Sequence, residues 1–542
     1  MRNFIIYLTV IFLLILSACA VKKPIIRMES RIPTITVGLL WGKDSIDFST
    51  ERPFDIFSHD GTFIARGIKN SRWRLEVKDS SPAKIVYRLV IGSMSTMKNA
   101  EKFYHELKRR GIETEICPFG RSIRVGGRVI SDNHFYRVVL KKIFKTKEEA
   151  ERYSGRISDG LKTFMIRQVV EDAVGTIVVK NVHNGEWFES SKPINIRGAD
   201  VRIYNIPAGQ GYHWEHLEDR TYPETVSFRL GTDGKLVAVN IVSLETYLKG
   251  VVPAEMPATF PIEALKAQAI ASRGEALAKL GIVHSTDPFD ICADVHCQAY
   301  TGLNGRSEAT DLAVNSTRGL ILWKDGKICD AVYSAVCGGH TEDSGRLWNS
   351  QPKSYLQGRF DGPSFLSRYG RLDKEENLRR WIDDKPAANC NLINKEVPPS
   401  LEYLKKYFRW EVTYSQDELS RIVQEKSGKI VGKILDLIAL RRGASGRITV
   451  LKIVGTESIL IIDNELMIRK TLSKTALWSS CFYVKKINGR DGVPERFVIK
   501  GAGFGHGVGM CQTGAAVMAL RGSRFYHILK HYYSTAQIKR IY

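Results

Sequence analysis

The chain has 542 residues, 43% hydrophobic and 25% charged, a globular balance that excludes disorder as its main state and leaves room for three or four domains. Its 80 Lys and Arg against 58 Asp and Glu give a formal charge of +22, which suits an anionic surface such as lipid headgroups or cell-wall polymer. Nucleic acid is the usual alternative for so basic a chain; no nucleic-acid motif is present, so none is expected as a partner, and nine cysteines over this length are too sparse for a disulfide scaffold.

The N-terminus reads MRNFIIYLTVIFLLILSACAVKKP, with Arg2, an apolar run from Phe4 to Leu16, and small residues leading into Cys19. The run is shorter than the ~20 residues of a spanning helix, and the pattern is that of an export signal. Leu16-Ser17-Ala18-Cys19 resembles a bacterial lipobox. That resemblance implies a lipoprotein signal peptide over residues 1–18, lipidation of the Cys19 thiol, and a tether over 19–32. The exported protein would hang by its lipid from a membrane of the bacterial cell envelope, on the periplasmic face where there are two membranes.

Residues 33–83 alternate apolar and polar residues between Gly, Asp and Ser turns, which predicts a β-rich N-terminal unit. An internal repeat follows: YRLVIGSMSTMKNAEKFYHELKRRG from Tyr87 is echoed 49 residues later by YRVVLKKIFKTKEEAERYSGRI from Tyr136. Each copy reads as a strand and an amphipathic helix; in the first, Ala100, Phe103, Tyr104 and Leu107 recur on one helical face. The duplication predicts a small ferredoxin-like α/β sandwich, a scaffold with many functions. Its two Tyr-Arg-hydrophobic strands and linking helices resemble a SPOR domain over residues 84–160, which implies binding of peptidoglycan glycan strands stripped of their peptides. Residues 173–245 return to strands and are expected to pair with residues 33–80, leaving the repeat as an insertion.

From Glu245 the chemistry-bearing motifs begin. In ETYLKGVVPAEMPATFPIEALKAQAIASR, Pro253 and Pro257 flank Glu255, placing it on a constrained turn before a helix that opens at Pro261. Partly apolar surroundings there would raise its pKa and make it a proton donor near neutral pH; the alternative is a helix-entry glutamate favouring the helix dipole. Lys266 and Arg273, seven residues apart, share a helix face and are candidate holders of a carboxylate or sugar hydroxyl, or face solvent. FDICADVHCQAYTG supplies Cys292, His296 and Cys297, whose thiolate and imidazole donors suit zinc, although no fourth ligand is evident. The alternatives are a strained disulfide or two buried thiols. In YSAVCGGHTEDSGRLW, Ser334, Cys337 and His340 stand around a Gly-Gly pair that would let a substrate approach the backbone; Cys337 and His340 are also a possible metal pair, and Ser334 or Cys337 with His340 or His506 a possible hydrolase pair. Residues 375–495 read as support and groove wall. GAGFGHGVGMCQTGA, residues 501–515, has neither the Lys-Ser/Thr of a phosphate loop nor a dinucleotide fingerprint. It reads as a glycine-lined wall with His506 and Gln512 as the polar groups able to face a sugar strand, the alternative for His506 being a satisfied structural histidine, ahead of one final helix.

These four motifs, in this order, resemble the SpoIID/LytB family (stage II sporulation protein D and amidase-enhancer relatives) over residues 173–542. The resemblance implies a multidomain α+β protein whose catalytic region of mixed strands and helices is a peptidoglycan lytic transglycosylase. It carries the acid/base role onto Glu255, a substrate role onto Arg273, and a structural zinc onto Cys292, His296 and Cys297. Many relatives have Ser where this chain has Cys511, so that thiol is not expected to be catalytic; a disulfide with Cys337 is an open possibility. A lytic transglycosylase needs one carboxylate, because the sugar's own C6 hydroxyl attacks the anomeric carbon to form a 1,6-anhydro ring, whereas a hydrolase of the common kind needs two. The rival reading is a noncatalytic wall-binding protein that stimulates a cell-wall amidase.

Overall fold

The computed structural model describes residues 32–157, 161–209 and 215–542. The expected signal peptide, the lipidation site Cys19 and nearly all of the tether lie outside the described residues. Among the described residues no helix is long and apolar enough to cross a membrane.

The architecture is multidomain α+β. The alternating segments at the start do form strands, but they are not a unit of their own. Thr34–Lys43 pairs antiparallel with Leu236–Ser243 in a seven-stranded sheet, and Arg72–Ser81 pairs antiparallel with Val174–Asn181 in a six-stranded one. The aromatic residues of the alternation lock the two sheets together. Phe48 stacks on Trp73 (ring centroids 6.5 Å) and lies 5.3 Å from Phe228 and 5.7 Å from Phe54, all buried.

The repeat sits between two adjacent strands of the second sheet. It forms a four-stranded antiparallel sheet, ordered Phe164–Glu171, Lys84–Met94, Phe135–Leu140, Thr114–Phe119, with helices Met97–Arg109 and Lys147–Ser154. Each helix starts at a threonine whose hydroxyl accepts the backbone N–H three residues on, Thr96 from Asn99 and Thr146 from Glu149. The edge strand Phe164–Glu171 carries this unit beyond the residue-160 boundary expected from the repeat. Between the copies a hairpin, Ser122–Val125 with Arg128–Asp132, reaches the helix Ile262–Lys279, where the amide of Asn133 donates to the carbonyls of Leu277 (3.0 Å) and Ala278 (3.3 Å).

Two helices follow the β unit. Leu244–Glu255 is capped by the Ser243 hydroxyl, and Ile262–Lys279 is buried almost all round because its Ala, Leu and Ile residues leave no polar stripe. Residues 410–499 enclose a separate apolar core between two three-stranded sheets. The expected final helix is two, Gln512–Leu520 and Phe525–Tyr532, interrupted where Gly522 takes φ +87°.

Candidate active site

Glu255 is the last residue of the helix Leu244–Glu255, not a residue of a turn. Pro253 lies in the last turn of that helix, where it withholds one backbone N–H from the turn before it, and Met256 closes the helix by donating to the Val252 carbonyl (2.9 Å). The Glu255 Oε1 accepts the backbone N–H of Ala299 at 2.9 Å. Burial pushes its pKa from 4.5 to about 7, outweighing that hydrogen bond, and the nearby Glu275 carboxylate adds to the rise. The negative end of its own helix works in the same direction.

A chain of polar side chains surrounds Glu255 and anchors its backbone. Gln512 donates to the Glu255 backbone carbonyl (3.0 Å) and to Gln268 Oε1 (3.3 Å); Gln268 donates to the Ser272 hydroxyl (2.9 Å), which donates to the Tyr333 hydroxyl (3.3 Å). Gln298 joins Tyr333 (3.1 Å) to Glu275 (3.0 Å) and accepts from Tyr247 (3.0 Å). Lys279 closes the far side, donating to Glu275 (2.7 Å) and to the Cys297 carbonyl (3.0 Å). The sequence does not single out Tyr333, Gln298, Tyr247 or Glu275. Tyr333 and Gln298 lie inside quoted motifs, but only the fold brings them together.

Most residues expected to touch substrate are instead spent inside the protein. Arg273 is fully buried and paired with Glu245 through two hydrogen bonds of 2.8 Å, so its role is structural. Lys266 is ion-paired with Glu263 (2.8 Å), whose other oxygen accepts the Phe525 N–H and fastens the last helix. The buried Ser334 hydroxyl accepts the Gly507 N–H (3.2 Å). His340 is buried against Phe360 with Nδ1 on the Thr341 carbonyl, and burial lowers its pKa to about 4. Gln512 positions Glu255 and does not face a strand of sugar.

The glycine stretch is corrected in the same way. Its glycines crowd the chain's own backbone. A Cβ on Gly507 would stand 2.4 Å from the Arg447 guanidinium carbon, and one on Gly509 would stand 2.0 Å from the Val332 carbonyl. Both have positive φ, which glycine alone adopts without strain. Gly338 and Gly339 likewise make room for Ala502, Gly503 and Trp381, not for a substrate. His506 accepts the Val508 N–H at Nδ1 (3.0 Å), and burial lowers its pKa to about 3, so the ring is neutral. Beside it, at 5.3 Å, stands Trp348, an indole that is 43% exposed.

Among the described residues, two groups of side chains have donor atoms close enough to hold a cation. In one, His284 joins Cys292, His296 and Cys297, all four donors within 4.8 Å of one another. His284 supplies a fourth donor that spacing does not reveal. Its Nδ1 lies 2.8 Å from Asp287, and against the lowering effect of burial the bonds to Asp287 and Cys292 raise its pKa to about 9. The other comprises Cys337, Asp361, Cys390 and Cys511.

Comparison with known proteins adds three matched segments. Residues 83–167 match the SPOR domain, residues 232–323 the Stage II sporulation protein family, and residues 342–509 a domain of unknown function (DUF8618). An uncharacterized protein of Brachyspira hyodysenteriae is 29% identical over 303 residues, 56% of this chain and 68% of that protein. The amidase enhancer of Bacillus subtilis is 29% identical over 296 residues, 53% of this chain but only 39% of its own length. Stage II sporulation protein D of the same organism is 28% identical over 315 residues, 56% of this chain and 76% of that protein.

Proposed function

Because this chain carries a SpoIID domain and, inserted ahead of it, a SPOR domain, we propose that it is a lytic transglycosylase of peptidoglycan, acting on glycan strands denuded of stem peptides. The observation that carries this reading is the Glu255 carboxyl, which accepts the Ala299 N–H while Gln512 holds the residue's backbone carbonyl, and which burial poises at a pKa of about 7. Protonated, Glu255 gives its proton to the glycosidic oxygen as the C1–O bond breaks. The resulting carboxylate then takes the proton of the sugar's C6 hydroxyl as that oxygen bonds to C1, leaving a 1,6-anhydro end and a restored acid. The neighbouring Glu275 is occupied by Lys279 and Gln298, so it is not available as the second carboxylate that hydrolysis by the common route demands. The exposed Trp348 offers a face on which a sugar ring can stack.

His284, Cys292, His296 and Cys297 would hold a zinc ion, a tetrahedral set of two nitrogens and two sulfurs with no open position. Its place is structural: it would brace the loop that presents the Ala299 N–H to Glu255. Lipidation at Cys19 would keep the enzyme in the cell envelope beside its polymer, and a cell-wall amidase that strips the stem peptides is the partner this substrate calls for.

Digestion of amidase-treated glycan, followed by mass spectrometry, tests the reading. Wild type should release anhydro-ended sugars, and Glu255→Gln should lose at least ~10² of that rate. Reducing ends would point to hydrolysis, and no cleavage by either protein, with stimulation of an added amidase, would favour the enhancer function named for the Bacillus subtilis relative. The acid is present below its pKa, so kcat/KM should fall as pH rises through about 7. Stability follows the same sign. The folded carboxyl holds its proton more tightly than the unfolded one, so its contribution is fully present below pH 4.5 and is lost progressively up to about pH 7; the melting temperature of Glu255→Gln relative to wild type should therefore rise through that window and level off above it.

A further inference from the structure

Cys337, Asp361, Cys390 and Cys511 come from four separate segments, and none is more than 2% exposed. Their donor atoms all lie within 4.8 Å of one another. Cys337 follows the strand Tyr333–Ser334, and Cys511 is the N-cap of the helix Gln512–Leu520. The Cys337 and Cys390 sulfurs are 3.5 Å apart, and the Cys337 sulfur is 3.2 Å from Asp361 Oδ2. A disulfide would bring two sulfurs to ~2.05 Å. Around a tetrahedral metal with bonds of ~2.3 Å, two sulfurs stand ~3.8 Å apart.

The surroundings suit charged sulfur. Three backbone N–H groups point at it: Cys337 and Gly514 at the Cys511 sulfur (3.2 and 3.4 Å), and Gly339 at the Cys337 sulfur (3.4 Å). A neutral thiol is a weak acceptor, so three donors are better used on thiolates. Asp361 is aimed as well. Its Oδ1 takes Asn389 Nδ2 (2.9 Å), the Tyr532 hydroxyl (3.0 Å) and His531 Nε2 (3.0 Å), while Oδ2 faces the sulfurs. The nearby Arg409 does not balance this charge directly, because its guanidinium bonds the carbonyls of Gly338, Trp381, Ile382 and Phe408.

We propose that Cys337, Asp361, Cys390 and Cys511 form a buried tetrahedral zinc site, separate from the His284 group. Soft thiolates with one carboxylate select zinc among common divalent ions, and four protein ligands leave no position for a substrate, so the ion is structural. It staples the 335–339 segment to the start of the helix whose first residue, Gln512, holds the Glu255 carbonyl. The site therefore acts on the catalytic helix through Gln512.

Zinc measured per full-length chain by mass spectrometry decides the matter. Wild type should carry two ions, one for each group. The double variant Cys292→Ser, Cys297→Ser should keep one, and Cys390→Ser should lose one while retaining the other. Zinc content unchanged by Cys390→Ser, or absent from the double variant, would overturn the proposal. So would a Cys337–Cys390 disulfide found by peptide mapping of the unreduced wild-type chain, a result that does not depend on any variant folding.

Discussion

In the 84–171 insert, the groups suited to binding stand outside a small apolar core. The Arg137 guanidinium lies 3.5 Å from the Phe119 ring centroid and near Phe135 and Phe164, on the sheet face opposite Val138 and Leu140, which pack with Ala100, Leu107 and Ala150. Around Glu255 the arrangement is inverted: Arg273, Gln268, Ser272, Gln298, Ser334 and Gln512 are all buried and bonded to one another or to backbone. The insert can fold without its binding groups, whereas the region around Glu255 folds by means of its motif residues. Substitutions should therefore separate binding from stability in the first and confound activity with stability in the second.

The buried pair Arg273–Glu245 should show the largest effect. Arg273→Met leaves the Glu245 carboxylate facing only the Gly319 N–H (3.3 Å) and the Tyr542 hydroxyl. Removing one partner of such a pair costs ~3–5 kcal/mol, to be read from the midpoint of denaturant unfolding. A loss under ~1 kcal/mol would mean that the region does not depend on its buried polar residues, and the contrast with the insert would fail.

This inversion also explains what the sequence discloses. The repeat was legible because strand, Thr cap and helix face are local patterns, with Ala100 and Leu107 on the buried side as their spacing requires. Glu255 was legible as a residue but not as a helix end, since two prolines within five residues ordinarily signal a turn. Spacing placed Lys266 and Arg273 on one helix, yet what each does is set by its acid, Glu263 one turn away and Glu245 28 residues back. His284, Asp361 and Cys390 carry no fixed spacing to the motifs they join, so only the folded chain assembles either donor group.

Excising the insert should have an intermediate effect and sharpen the contrast. Ser81 and Val174 are direct partners across two antiparallel strands, so removing residues 84–171 leaves residues 82, 83, 172 and 173 as a short hairpin connection. Retention on long denuded glycan should fall by ~10²-fold, since tethered modules commonly add that much avidity. Turnover of short fragments that reach only the Glu255 region should stay within about twofold. If it collapses, the hairpin that carries Asn133 to the end of the helix Ile262–Lys279 is part of the catalytic scaffold, not only of the binding unit.

The smallest effect should come from Arg137→Ala. The guanidinium spans Phe119, Phe135 and Phe164, the last 45% exposed, and burial lowers its pKa to about 10, so it remains cationic at neutral pH. A partly buried cation–π contact of this kind is worth on the order of 1 kcal/mol, and the core of Ala100, Leu107, Val138 and Ala150 lies on the other face of the sheet. The melting temperature should therefore move little, while affinity for denuded glycan should drop about three- to tenfold, a loss that co-sedimentation at several glycan concentrations can resolve. A large fall in melting temperature without loss of binding would place Arg137 with the buried polar residues of the catalytic region, as a group used for folding and not for recognition.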